Sequence, residues 1–347
     1  MTGNDVEAPA DGRFDGLVDR IDAAQRRVPA VAFPLAVLRK FTNDRGGKLA
    51  AVLAYYAFLS IFPLLLVATA VLGRVLAGNA DLQRRLLDSA LSQFPVIGAQ
   101  LTQAQELKAS SLVAFVVGVI GALFGGLRAM QVAQDAMNDV WNISRRERPN
   151  FVRLRARALL VLVAIGGMLI ASVVLSAAAT QVPLALFGRL ALVLGSVGAN
   201  IVTFLLAFQI LTIQRQPWRD LLPGAIGAGI AWWLLQILGA WFVDRALRNA
   251  TEVYGTFASV IGLLALFHLQ AMVTLIAAEV NVVLARRLWP RSLTGRNLTD
   301  ADRRAALDEA TASIDLPGAS VDVRFDDRTS DETGLIPSHD DPHQAGR

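Results

Sequence analysis

Ionisable and amide side chains inside long uncharged stretches are the first sign of chemistry in this chain. His268 and Glu279 stand eleven residues apart in one such stretch, and at 100° per residue they point within about 20° of each other. Two titratable groups on one helix face can exchange protons, or hold a polar head group while the rest of a substrate stays in lipid. The bland alternative for Glu279 is an ion pair with Arg286, Arg287 or an Arg of a neighbouring helix, since it lies six residues before Ala285. Gln270, Thr274 and Asn281 fall on roughly the opposite face, and a helix with polar stripes on both sides belongs at the centre of a bundle. Asn200, Gln236, Tyr55 and Ser60 sit in other uncharged runs. With Glu279, His268, Gln270 and Asn281 they make up the candidate transport pathway. Pro63 frees the carbonyl of Leu59, with Ser60 as a compensating neighbour, and is a candidate hinge or simply a kink.

Other chemistries lack their residues. The chain has no Cys and three His, which excludes disulfides, thiolate metal sites and cysteine nucleophiles. A metal-dependent nuclease needs clustered His, Asp and Glu ligands. The dense cluster, HDDPH at His339 to His343, lies in an acidic tail that reads as solvated, and His268 lies apart from it. No H-E-x-x-H, phosphate loop or G-x-S-x-G elbow is present. The chain is therefore expected to be no enzyme, with no catalytic, cofactor-binding or metal residues and no cofactor. The Arg145, Arg146, Arg148, Arg153, Arg155 and Arg157 cluster has no interleaved aromatics to stack bases. Membrane lipids, not nucleic acid, are its expected partner.

The elements that must position these residues follow from composition. Of 347 residues, 54% are apolar and 18% charged, with a mean hydropathy of +0.46. Soluble chains run nearer a quarter charged, so the bilayer is the solvent. A spanning helix needs about 20 apolar residues. Leu49 to Gly73, Ala109 to Leu127, Leu221 to Val243 and Val253 to Ala285 each supply one, and Ala158 to Gln214 supplies two, separated by a turn at Pro183, Gly188 and Arg189. Of the 33 Lys and Arg, 26 fall on the side that holds both termini and seven on the other. The positive-inside rule then puts both termini in the cytoplasm.

The expected fold is all-α, a polytopic membrane protein with six transmembrane helices. Residues 1–48 form a cytoplasmic N-terminal arm, residues 49–285 the membrane domain, and residues 286–347 a cytoplasmic tail. Phe14, Leu17, Val18, Ile21 and Val28 recur at helical spacing among Arg13, Arg20, Arg26 and Arg27, as in a helix on an anionic membrane surface or a solvated arm. From Asp300 on, 12 acidic residues with Pro, Ser and Gly predict a largely disordered acidic tail. Gly118, Gly121 and Gly125 form a small-residue face suited to close helix packing.

LAAVLAYYAFLSIFPLLL at Leu49 to Leu66, AMNDVWNI at Ala136 to Ile143, YGTFASVIGLLALF at Tyr254 to Phe267 and AAEVN at Ala277 to Asn281 together resemble the YihY/BrkB family of bacterial inner-membrane proteins, with Ala277 where the family usually has Gly. The resemblance covers roughly residues 35 to 290 and implies six spans. It also implies two functional labels, an old ribonuclease designation and a role in export across the inner membrane, linked in some members to envelope lipid or lipopolysaccharide. The missing ligand set disfavours the first. The expected function is transport, or help in export, of an amphipathic or lipid-linked envelope component, and the alternative is a non-catalytic scaffold for envelope assembly.

Overall fold

The computed structural model describes residues 12–75, 112–144, 156, 186–250, 255–292, 295, 298–314 and 321–325. Eight helices run through them in chain order: α1 (Gly12–Arg27), α2 (Pro29–Asn43), α3 (Gly46–Val75), α4 (Leu112–Val140), α5 (Leu186–Leu211), α6 (Trp218–Ala250), α7 (Gly255–Ala285) and α8 (Asp300–Ala312). No strand occurs among the described residues. Among the described residues, three helices carry windows long and apolar enough to cross a membrane, at Leu194–Leu211, Trp218–Leu238 and Val260–Ala285. The helices α3 and α4 cover the first two expected spans, while the expected third span lies outside the described residues.

Helix ends are set by local chemistry. Pro29 opens α2 behind an extended Val28, a position where its missing N–H costs nothing. Arg45, at φ 56°, turns the chain into α3. A Cβ on the next residue, Gly46, would overlap the Phe41 ring, so only glycine fits. The end of α4 is a Schellman cap: Asn142 takes φ 50°, its N–H reaches the Asp139 carbonyl, and the Ile143 N–H reaches Asn138 at 2.8 Å. The AMNDVWNI stretch is thus the stop of α4. The end of α7 repeats the device, with Arg287 at φ 54° and the Leu288 N–H on the Val283 carbonyl at 3.0 Å.

Packing puts α7 at the centre, against α2, α3, α4 and α6, while α3 lies along α4 and α5 along α6. The core holds Phe208, Met137, Leu221, Leu275, Val140, Val282 and Leu288, and gathers toward the end of the bundle where α2 and the last turns of α4 and α7 meet. Leu194, Leu206, Ile230, Leu234, Leu238, Ile261, Leu264 and Leu269 point outward, as lipid-facing positions must.

The tail is ordered at its start. The residues from Asp300 do not all lack order: α8 forms, started by a capping box in which the Thr299 hydroxyl and Asp302 carboxylate serve each other's backbone N–H groups. Composition gave no hint, because the fixing partners are distant. Arg286 pairs with Asp308 at 2.9 Å, and Ser144 donates to the Ile314 carbonyl at 2.9 Å. Residues 315–320 and 326–347, including His339 and His343, lie outside the described residues.

Candidate functional site

Glu279 sits on the α2-facing side of α7 with no solvent exposure. Its partner comes from the N-terminal arm: Lys40 Nζ lies 2.9 Å from Glu279 Oε2, with side-chain exposures of 4% and 0%. The same ammonium donates to the Val140 carbonyl at 2.7 Å and to the Asp44 carboxylate one turn along its own chain. Lys40 therefore joins α2, α4 and α7 through one group. The Val140 carbonyl is one of the unpaired carbonyls at the end of α4, where the helix dipole is negative. Arg286 serves the next, donating to the Trp141 carbonyl at 2.6 Å, with its guanidinium 6.0 Å from the centre of the Trp141 ring.

Glu279 thus has a counter-ion, as one sequence reading held, but it is a lysine from the arm and not an arginine. Sequence reasoning missed Lys40 by counting it among the arm's topology charges. The signal was available: Lys40 falls on the same α2 face as Ala36 and four residues before Asp44.

Buried amides surround the helix ends. Asn281 accepts from the Gly224 N–H at 2.6 Å, fixing α6 to α7. The two helices touch so closely there that a Cβ on Gly224 would strike the Ala277 carbonyl. Asn138 accepts from the Ile213 N–H at 3.0 Å. Gln134, one turn earlier on the same face of α4, is fully buried, and neither its amide nitrogen nor its oxygen has a hydrogen-bond partner. Gln134 was missed because α4 was expected to leave the membrane before it.

The remaining candidates are scattered. His268, eleven residues and about 16 Å along α7 from Glu279, is half-buried, as are Gln270 and Asn200. Two of them lie on the outside. Tyr55 is 53% exposed and stacks edge-on to Tyr56, and Gln236 is exposed beside Ile237 and Leu238. Neither faces the bundle interior. In a span apolar all round, hydropathy has no period to say which way one polar residue points, and an aromatic hydroxyl sits comfortably at a membrane surface. Ser60 is buried, but its hydroxyl bonds the Ala57 carbonyl at 2.8 Å, not that of Leu59. Pro63 lies within α3, and its side chain is outside the described residues. Gly125 faces Ser60, its Cβ position 3.2 Å from the Ser60 backbone. Gly121 is half-buried on α4, and nothing beyond the helical backbone is described at Gly118.

A second ionic cluster joins the arm to the tail. Asp302 accepts from Arg291 at 3.1 Å and the Ser292 N–H at 2.8 Å, and Arg39 lies 3.6 Å away. Burial alone would raise the Asp302 carboxyl, but the N–H groups of Ser292 and Thr299, the Thr299 hydroxyl and Arg291 bring it below its ordinary value. Asp22 on α1 pairs with Arg26 and accepts from Ser292 at 3.3 Å, while Gln25 donates to the Arg291 carbonyl at 2.9 Å. The α1 helix forms as expected, but its Asp22 and Gln25 are buried against the tail. The side chains of Phe14, Leu17, Val18 and Ile21 lie outside the described residues, as does the Arg145 to Arg157 cluster.

A family model described as Virulence factor BrkB matches residues 37–300. The chain belongs to the BrkB family. The matched span takes in α3 to α7 together with Lys40, Asp44 and Glu279, so the Lys40–Glu279 cluster lies within it, while Asp22 and Asp302 of the second cluster fall outside. Among relatives, the inner membrane protein YhjD of Escherichia coli is 25% identical over 73% of this chain and 81% of its own length. A UPF0761 membrane protein of Alkalilimnicola ehrlichii is 28% identical over 80% of this chain and 63% of its own length. A ribonuclease-like protein of Bacillus subtilis, YfkH, is 21% identical over 74% and 96%. No solved structure matches the chain. This BrkB-family chain is a membrane protein. Among its described residues, no group of three or more His, Asp and Glu is placed to hold a metal ion.

Proposed function

We propose that this BrkB-family protein is a six-span inner-membrane protein, with both termini cytoplasmic, that moves or helps to move an amphipathic or lipid-linked envelope component. It acts without catalysis and without nucleic acid. The observation that carries the reading is the Lys40–Glu279 pair: a carboxylate inside a span whose counter-ion rides on a separate helix. An ionisable group at membrane depth is costly and is kept where it has work to do. Displacing α2 parts the pair and offers an ammonium and a carboxylate to a polar head group at the end of the bundle. His268, farther along α7 on the same face as Glu279, continues that polar face toward the middle of the span.

Glu279→Gln tests this. The amide is nearly isosteric, so the protein should fold and insert at normal abundance yet fail to complement the envelope phenotype of a null strain. Full complementation at equal abundance removes Glu279 from the mechanism and favours the scaffold reading. That second reading draws on the arm-to-tail cluster, which builds a rigid surface outside the bundle from Asp22, Arg39, Arg291 and Asp302. Because the chain has no native thiol, single cysteines test the topology. Gln93→Cys should react with an impermeant maleimide in intact cells and Ser330→Cys only after lysis.

A further inference from the structure

The helix α2 is apolar on its outer face as well as on its inner one. Its two cations turn toward protein: Lys40 is 4% exposed on Glu279, and Arg39 leans on Asp302. Ala32, Ala36, Val37 and Phe41 also pack inward, but a second apolar stripe stays outside, with Val31 45% and Leu38 50% exposed and Pro34 exposed between them. On a helix wheel Val31, Pro34, Leu38 and Thr42 lie within about 80°, opposite the buried Ala36 and Lys40. A surface helix in water keeps its outer face polar, and an apolar stripe left outside marks a contact with something apolar.

The stripe runs into a cationic elbow. Thr42 is both its last member and part of the lining of an open recess of about 420 Å³, formed with Phe41, Arg45, Gly46, Gly47 and Lys48. Arg45 and Lys48 are both exposed. One turn further on, α3 begins to show Val52, Tyr55 and Leu59 on its outside, so the elbow stands where the first span meets the membrane surface. We propose that the outer face of α2 and this elbow form a site for an anionic phospholipid, with the acyl chains against Val31, Pro34 and Leu38 and the phosphate between Arg45 and Lys48. A second copy of the chain fits less well, because the stripe and the lining of the recess carry no acidic side chain to answer Arg45 and Lys48. The lipid supplies the apolar surface and the negative charge at once. The inference relies on membrane insertion of α3 and not on what the protein transports.

The full-length protein in nanodiscs tests it. Leu38→Cys carries an environment-sensitive fluorophore, and Val52→Cys serves as the lipid-facing reference. The bilayers contain spin-labelled phosphatidylglycerol or spin-labelled phosphatidylcholine, each labelled near the head group. Quenching at position 38 should favour phosphatidylglycerol, by roughly fivefold in local enrichment for each elbow cation. Arg45→Asn with Lys48→Gln should remove the preference while quenching by both lipids persists. Both substitutions fall on exposed side chains, and Asn tolerates the left-handed backbone at position 45. Equal quenching by the two lipids in the wild type overturns the head-group site. Quenching at position 52 but none at 38 overturns the lipid contact altogether, and Leu38→Cys cross-linking between copies would assign the face to a dimer.

Discussion

The two halves of α7 handle polarity in opposite ways. From Ala271 to Val283 the helix is mostly enclosed, and there it carries Glu279 and Asn281 with no exposure at all. From Val260 to Gln270 it alternates exposed Ile261, Leu264 and Leu269 with half-buried His268 and Gln270. A full charge is held where protein surrounds it and can deliver a counter-ion from another helix. The membrane-facing half carries no Asp, Glu, Lys or Arg, and its polar side chains are those of His268 and Gln270. The difference teaches that depth along the span matters less than what encloses the residue, since the cost of an ion is set by its immediate partners.

The sharpest way to break this contrast is to remove one ion. Lys40→Met should destabilise the protein by roughly 3–5 kcal/mol, because it leaves Glu279 buried and Asp44 beside it without a cation. Lys40→Met with Glu279→Leu should recover most of the loss, which a double-mutant cycle of thermal unfolding in detergent would read. Equal damage in the single and double variants would mean that packing, and not charge, holds α2 to α7.

Close approach at the enclosed end makes the next largest difference. Gly224→Ala should cost about 1–3 kcal/mol by forcing α6 from α7, since the new methyl meets the Ala277 carbonyl and lies 2.6 Å from the Asn281 amide. Gly227→Ala, three residues on in the same helix with nothing within 4 Å of the added Cβ, should instead gain up to about 1 kcal/mol from helix propensity. Comparable losses at both positions would deny that α6 and α7 are closest at the enclosed end.

Acid should loosen the arm before the bundle. The Asp302 carboxyl is held below its ordinary value, so its stabilising contribution is complete above about pH 4 and is lost as pH falls through the lowered value. Limited proteolysis between pH 6 and 3 should show α8 becoming sensitive at the acid end, and Asp302→Asn should be sensitive throughout. A wild-type profile flat over that range would exclude the carboxylate as the clasp. The smallest effect belongs to the other half of α7: His268→Gln should change stability by no more than about 0.5 kcal/mol, read by the same detergent unfolding. A loss approaching that of Lys40→Met would show that this half encloses its polar groups as tightly as the first.

The amino-acid sequence alone identifies the bilayer as solvent, the helical class and the three segments long and apolar enough to cross a membrane among the described residues, because length and hydropathy follow directly from the cost of leaving backbone groups unpaired in hydrocarbon. It also singled out Glu279 as a buried charge and α7 as central. Only the tertiary structure decided which residue answers that charge. Lys40 and Glu279 are 239 positions apart in the numbering, and no local pattern links an arm lysine to the last span. The outward turn of Tyr55 and Gln236, the burial of Gln134 and the order of α8 are of the same kind. In an apolar span every face looks alike to the sequence, and an acidic tail has no core of its own, so both wait on contacts with distant parts of the chain. For α8 those contacts are Arg286 and Ser144, and without them its composition describes a segment that water would keep unfolded.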